Sequence, residues 1–177
     1  MILRQIGEDP ERPGLIETPD RVVRSWAELY EGYRCHDPAA LLKTFPDDTV
    51  PLDRMIMVDE IPFYSMCEHH MLPFHGKVAI GYLPQAHRGV IGVSKLPRVV
   101  EEFARRLQVQ ERLTEQICDA LMTVSRAAIV LIHAKHECVA ARGVESHGTN
   151  MNTITTKAEP GIDIDGLTAE FHTRRTR

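Results

Sequence analysis

No stretch of the sequence approaches the ~20 consecutive apolar residues that cross a bilayer. The opening MILRQIGEDPERPG also lacks the charged, apolar and cleavage segments of a secretion signal, in that order. The expectation is a soluble, cytoplasmic protein with no membrane partner. A concentrated basic face is missing too. The 21 Lys and Arg are outnumbered by 25 Asp and Glu, for a formal charge of -4, which speaks against nucleic acid as a partner. The one basic cluster, Arg174, Arg175 and Arg177, sits at the tail and reads as a solvated, frayed end. Internal repeats and low-complexity segments are absent. The 4 cysteines (Cys35, Cys67, Cys118 and Cys138) could form two disulfides, but a chain with a real core does not need them. Metal binding and plain burial are the competing readings.

What is present suffices for one packed domain: 177 residues, 43% of them hydrophobic. The chain divides into an N-terminal helical region, 1–48, and a main domain, 49–177, acting as one unit. Thr18 and Pro19 read as the N-cap and first position of an amphipathic helix whose stripe of Val22, Val23, Trp26, Leu29, Tyr30 and Tyr33 asks to be buried. Residues 34–51 form a connector with at most one short helix near Ala39–Lys43. Strands are predicted at Met55–Val58, at Lys77–Leu83 and between Gly89 and Gly92. Ser94 reads as the cap of a helix carrying Leu96, Val99, Val100, Phe103 and Leu107. A second helix carries Val109, Leu113, Ile117, Leu121 and Val124. The β-branched run at 127–132 predicts a buried central strand, and Thr153–Thr156 a last one. Strands, two helices, then strands again argue for an α+β domain with a largely antiparallel sheet.

Two short segments carry metal chemistry. In Ser65-Met66-Cys67-Glu68-His69-His70, Cys67 and His70 are spaced to chelate one ion from a turn, while His69 between them points elsewhere. In Lys135-His136-Glu137-Cys138, His136 and Cys138 share a face if the preceding strand continues. Two thiolates and one imidazole suit tetrahedral zinc with the fourth position open to water, as in a catalytic site. Cys35 and Cys118 are read as structural or incidental. His75, His87, His133, His147 and His172 lack partner spacing and are read as surface or hydrogen-bonded histidines.

SMCEHHMLPFHGKVAIGYLP, GVSKLPRVVEEFARRLQVQERLTEQI and HECVAARGVE, with TPDRV upstream, resemble the signature blocks of the GTP cyclohydrolase I family in order and separation. The similarity covers most of residues 5–156. It implies a tunnelling fold over 49–177, a four-stranded antiparallel sheet backed by two helices, assembled as a homodecamer of two pentamers with the sites between subunits. It implies Zn2+ on Cys67, His70 and Cys138, GTP as substrate, and catalytic roles for His69, His136 and Ser94. The product implied is formate plus 7,8-dihydroneopterin triphosphate, on the way to tetrahydrofolate.

The residue types suit that chemistry. Carbon 8 of guanine becomes electrophilic when N7 is protonated, a task for a histidine titrating near neutrality, assigned by resemblance to His136. The Glu111 carboxylate can accept from N1–H and the 2-amino group of guanine, with Gln110 beside it. Ser94, Lys95 and Arg98 gather hydroxyl, ammonium and guanidinium at a helix start for the triphosphate, joined by Arg142 and Arg21 on the family pattern. The match departs after Val144, where ESHGTNMNTITT is a little longer than the family's turn, and the tail PGIDIDGLTAEFHTRRTR lacks a final helix pattern. Two other readings use the same residues. One is a specialised relative in deazapurine or natural-product biosynthesis; the other is a non-catalytic, zinc-stabilised nucleotide-binding ring.

Overall fold

The computed structural model describes residues 2–46, 51 and 53–175. The boundary expected at 48/49 and the terminal Arg177 lie outside these residues. In chain order the elements begin with helices α1 (Ile2–Gln5) and α2 (Thr18–Leu29), then 3-10 turns at Glu31–Arg34 and Pro38–Leu41. There follow β1 (Thr44–Phe45), β2 (Ile56–Cys67), β3 (Pro73–Pro84), β4 (Val90–Ile91), α3 (Lys95–Ala104) and β5 (Leu107–Gln108). The chain then runs through α4 (Gln110–Met122), β6 (Ser125–His136), α5 (Glu137–Ala140), β7 (Met151–Ala158) and α6 (Ile164–Arg175).

The main sheet has the order β5-β2-β3-β6-β7. Its four long strands pair antiparallel as expected. The fifth, β5, is a two-residue addition running parallel to the end of β2, pairing Met66 with Leu107 and Cys67 with Gln108. The short strand between Gly89 and Gly92 pairs with β1 in a separate ribbon. Leu107 and Val109, expected inside helices, instead lie in β5 and at the N-cap of α4.

Alternation along the strands assigns the two sheet faces. Val78, Ile80 and Tyr82 of β3 and Ala128, Val130 and Ile132 of β6 pack with Leu96, Val99, Val100 and Phe103 of α3 and Leu113, Ile117 and Leu121 of α4. These apolar positions are the ones that helical spacing predicts. Ser94 is the N-cap of α3, but with helical dihedrals and no side-chain capping bond.

The opposite face is covered at one end by α6, a helix that the sequence pattern does not announce. Its apolar stripe is reduced to Ile164, Leu167 and Phe171, which join Met55, Ala79, Leu83, Ala127 and Ile129 in a second core. Phe171 is 0% exposed. It fits because Gly81 has no side chain: a Cβ there would meet the Phe171 ring at 2.8 Å and the Met55 sulfur at 2.9 Å. Helix α6 also anchors Arg174 and Arg175, correcting the expectation of a frayed end for these two residues. Arg174 donates to the Met55 carbonyl at 3.3 Å, and Arg175 to the Asp59 carboxylate at 3.0 Å.

The N-terminal helix differs in two respects. Glu17 rather than Thr18 occupies the N-cap position. The apolar stripe is not buried within the chain: Val22, Val23, Trp26 and Leu29 stay 40%, 61%, 41% and 40% exposed. Among the described residues, no helix is long and apolar enough to cross a membrane.

Deleting the Phe171 ring removes the centre of the second core. Phe171→Ala should destabilise the protein by about 3–5 kcal/mol in denaturant titration. A loss under about 1 kcal/mol would mean that α6 is not docked as described.

Candidate metal centre and its surroundings

β2 ends at Cys67, and a tight turn returns the chain to β3. Cys67 N–H donates to the Leu72 carbonyl at 2.9 Å and Met71 N–H to the Cys67 carbonyl at 2.8 Å, with Met71 held at φ 53°. The turn is tied to neighbouring elements. Buried Ser65 donates to the Ala104 carbonyl at 2.7 Å, and Glu68 N–H to the Gln108 carbonyl at 3.0 Å. Glu68 forms a two-pronged pair with Arg112 of α4 at 2.7 and 3.0 Å, which holds its carboxyl below the ordinary carboxylate range.

The second arm arrives on β6. β3 pairs on one side with β2, through Met66–Pro73, and on the other with β6, through Phe74–His136. The ends of β2 and β6 are therefore neighbours across one strand. β6 stops at His136, and Cys138 lies on the short helix α5. The expectation that the strand continues past His136 is thus corrected. Residues two apart on a helical turn do not share a face, so the two side chains part company.

Cys138 turns to the first arm. One ligand atom from each of Cys67, His70 and Cys138 lies within 4.8 Å of the others. Bonds of ~2.3 Å to sulfur and ~2.0 Å to nitrogen separate neighbouring ligands of tetrahedral zinc by ~3.3–3.8 Å, so a contraction of about 1 Å closes the set. The donor set fits a borderline-soft divalent ion. His70 presents Nδ1 to Cys67 Sγ at 4.0 Å, while its Nε2 accepts from Arg142 at 3.1 Å. Burial, and then the neighbouring Cys67, push the Cys138 thiol above its ordinary pKa, with Arg142 pulling the other way. His69 is largely exposed, yet its Nδ1 comes within 3.8 Å of Cys67 Sγ.

His136 stacks on Phe74 with centroids 4.6 Å apart and planes at 6°, as adjacent strand positions on one face allow. Burial holds its imidazole below the ordinary value, and the Glu111 carboxylate opposes the shift. Its Nε2 lies 2.8 Å from Oε1 of Gln110. Gln110, expected beside the base reader Glu111, has its side chain in the interior. It is 0% exposed, and its amide nitrogen lies 3.1 Å from each of three acceptors, the carbonyls of Ile132 and Met151 and Thr153 Oγ1, which share its two hydrogens. Glu111, the next residue, is exposed.

The remaining expected residues stand apart. Ser94 and Arg98 are exposed and Lys95 partly so, at the start of α3. Arg21 is paired with Glu17 on α2 at 2.6 Å. Among the described residues, no hydrogen bond or ion pair joins these four to the metal ligands. All 4 cysteines are free. Cys118 is a core residue whose thiol burial pushes up to about 12. Phe74, Glu68, Arg112, Thr114 and Thr153 complete the surroundings of the site. None carries a sequence signal, because each acts through pairing across the sheet or between the turn and α4.

The sequence profile of the family described as GTP cyclohydrolase I matches residues 1–165. Proteins named GTP cyclohydrolase 1 are similar over most of their length. The one from Nitrosospira multiformis is 50% identical over 149 residues, 83% of this chain and 76% of its own. That from Wolinella succinogenes is 52% identical over 150 residues, covering 84% and 78%. That from Chlorobaculum tepidum is 52% identical over 165 residues, covering 92% and 70%. In shape, the chain is similar to the apo crystal structure of the archaeosine synthase QueF-Like. The TM-score is 0.50 at 12% identity, over 63% of this chain and 98% of that one. This likeness speaks for the fold alone, which is the tunnelling fold.

Metal affinity should depend on pH with a definite sign. The raised Cys138 thiol is protonated across the neutral range and must lose its proton to bind. Affinity for Zn2+ should therefore climb about tenfold per pH unit for each proton released. Competition titrations between pH 6 and 8 should show this rise, and Cys138→Ala should abolish tight stoichiometric binding. A flat profile would exclude thiolate ligation.

Proposed function

Since the chain belongs to the GTP cyclohydrolase I family and is an enzyme of that class, we propose that its Cys67, His70 and Cys138 hold Zn2+ and that GTP is opened beside them. The observation that carries this reading is the convergence of two thiols and an imidazole from distant segments, next to a half-buried histidine and an exposed glutamate. Membership of an enzyme family sets aside the non-catalytic ring.

Bound zinc supplies Lewis acidity and activates water at neutral pH. The protein's own groups do the rest. His136 delivers a proton to N7 of the purine, which makes carbon 8 electrophilic. Burial lowers its affinity for protons in the free protein, and the nearby Glu111 carboxylate opposes that shift. Addition of water at carbon 8 and cleavage of its bond to N9 give a formamide, and a second hydrolysis releases formate. His69 and Ser94 assist the later proton transfers, as the ribose opens, rearranges and closes onto the exocyclic nitrogen to give 7,8-dihydroneopterin triphosphate. Glu111 accepts from N1–H and the 2-amino group, which adenine cannot satisfy.

Lys95, Arg98, Arg142 and Arg21, with Ser94, bind the triphosphate. Arg142 already sits at the metal ligands, whereas the start of α3 is not joined to them within the chain. We therefore read the α3 group as completing the site of a neighbouring subunit in a decamer of two pentamers. The unburied stripe of α2 supports such an assembly. In this reading 1–48 is a helical appendage to the catalytic domain 49–177, and the enzyme works in the cytoplasm toward tetrahydrofolate.

Incubating zinc-loaded protein with GTP should yield formate and a pterin fluorescent after oxidation. Identification of that product separates this route from a deazapurine or natural-product one. His136→Ala should retain zinc and lose roughly 10²–10⁴-fold in kcat. Glu111→Ala should keep the metal and weaken GTP binding about 10- to 100-fold, the cost of a charged hydrogen-bond acceptor. Unchanged GTP affinity would remove Glu111 from the pocket.

A further inference from the structure

The hydrogen bonds around Gln110 have only one consistent sense. Backbone carbonyls can only accept, and two of them, from Ile132 and Met151, face the same end of the Gln110 side chain. That end must be the NH2 group, since the reversed amide would set an oxygen against both carbonyls and leave a buried clash of acceptors. The third partner closes a circuit. Thr114 Oγ1 spends its hydrogen on the backbone carbonyl of Gln110 at 2.7 Å. The 2.6 Å contact between the Thr114 and Thr153 hydroxyls must then be donated by Thr153. Thr153 Oγ1 is thereby left to accept from the Gln110 amide. Gln110 and Thr114 are 0% and 1% exposed, and Thr153 and Met151 are partly buried, so the Gln110 amide itself is shielded from water.

With its NH2 committed, Gln110 offers His136 only an oxygen, and an oxygen accepts. The 2.8 Å contact therefore requires a hydrogen on Nε2 of His136. The stack on Phe74 fixes the plane of the ring, so both orientation and tautomer are determined. We propose that Gln110 is a positioning residue that holds the His136 ring in one orientation, with its hydrogen on Nε2 and Nδ1 turned away from Gln110. In this role Gln110 does not touch the purine. The inference rests on the reading of His136 as the proton donor for ring opening. Its consequence is that the neutral His136 ring carries its hydrogen on Nε2.

The first test needs no variant. In zinc-loaded protein with 15N-labelled histidine, NMR of the neutral His136 ring, assigned by its loss in His136→Ala, should show the hydrogen on Nε2 and a bare Nδ1. A hydrogen on Nδ1 would overturn the proposal. The second test uses Gln110→Met, which keeps the volume but removes both donor and acceptor. It should lower kcat roughly 10- to 100-fold with KM little changed and zinc retained. A raised KM with kcat unchanged would instead make Gln110 a substrate reader. In a His136→Ala background the same substitution should cost nothing further, because it acts through the ring; a full multiplicative loss would refute that route. A fully active His136→Ala protein would overturn the catalytic reading of His136, a result separate from the NMR assignment.

Discussion

The site depends on the register of β3, which is hydrogen-bonded to β2 on one side and β6 on the other. Met66 opposite Pro73 and Phe74 opposite His136 bring the closing residues of two strands into adjacent rows. Cys67 and Cys138, far apart in sequence, become neighbours through this register and the turn of α5 that follows His136. A slip of one residue in either pairing would turn every side chain to the other face. The core guards against such a slip, since Val78, Ile80, Val130 and Ile132 would then trade places with residues meant for the opposite surface.

Around this frame, polar groups are divided by burial. The Gln110, Thr114 and Thr153 circuit lies in the interior, where each bond is strengthened and any unmade bond would be costly. It supports His136 from behind, on the strand before the second metal arm. Glu111, His69 and Arg142 are exposed to solvent. Consecutive residues Gln110 and Glu111 thus serve opposite sides of one helix start, one facing the core and the other solvent.

Much of this was legible before any coordinates. Cys67, His70 and Cys138 stand out by spacing and donor type, and they meet in space. The stripes of α3 and α4 and the run before His133 fall where periodicity places them. Other features were misread for physical reasons. The short helix α5 follows a strand whose pattern does not mark its end. Helix α6 has too few apolar residues to advertise itself, and it forms because Gly81 leaves room for Phe171. That Gln110 is buried while Glu111 beside it is exposed was not legible, because adjacency in sequence says nothing about which way a side chain faces at a strand-to-helix junction.

By itself, the chain's order of residues determined the alternation of strands and helices, the apolar faces and the chemical identity of the Cys67, His70 and Cys138 group that could hold a metal. These depend on local spacing and side-chain type. Only the tertiary structure decided which nitrogen of His136 faces Gln110, how the tail is anchored, and which expected residues lie together or apart. Those outcomes depend on pairing between distant strands, and a linear pattern of residues does not encode the direction of a buried hydrogen bond.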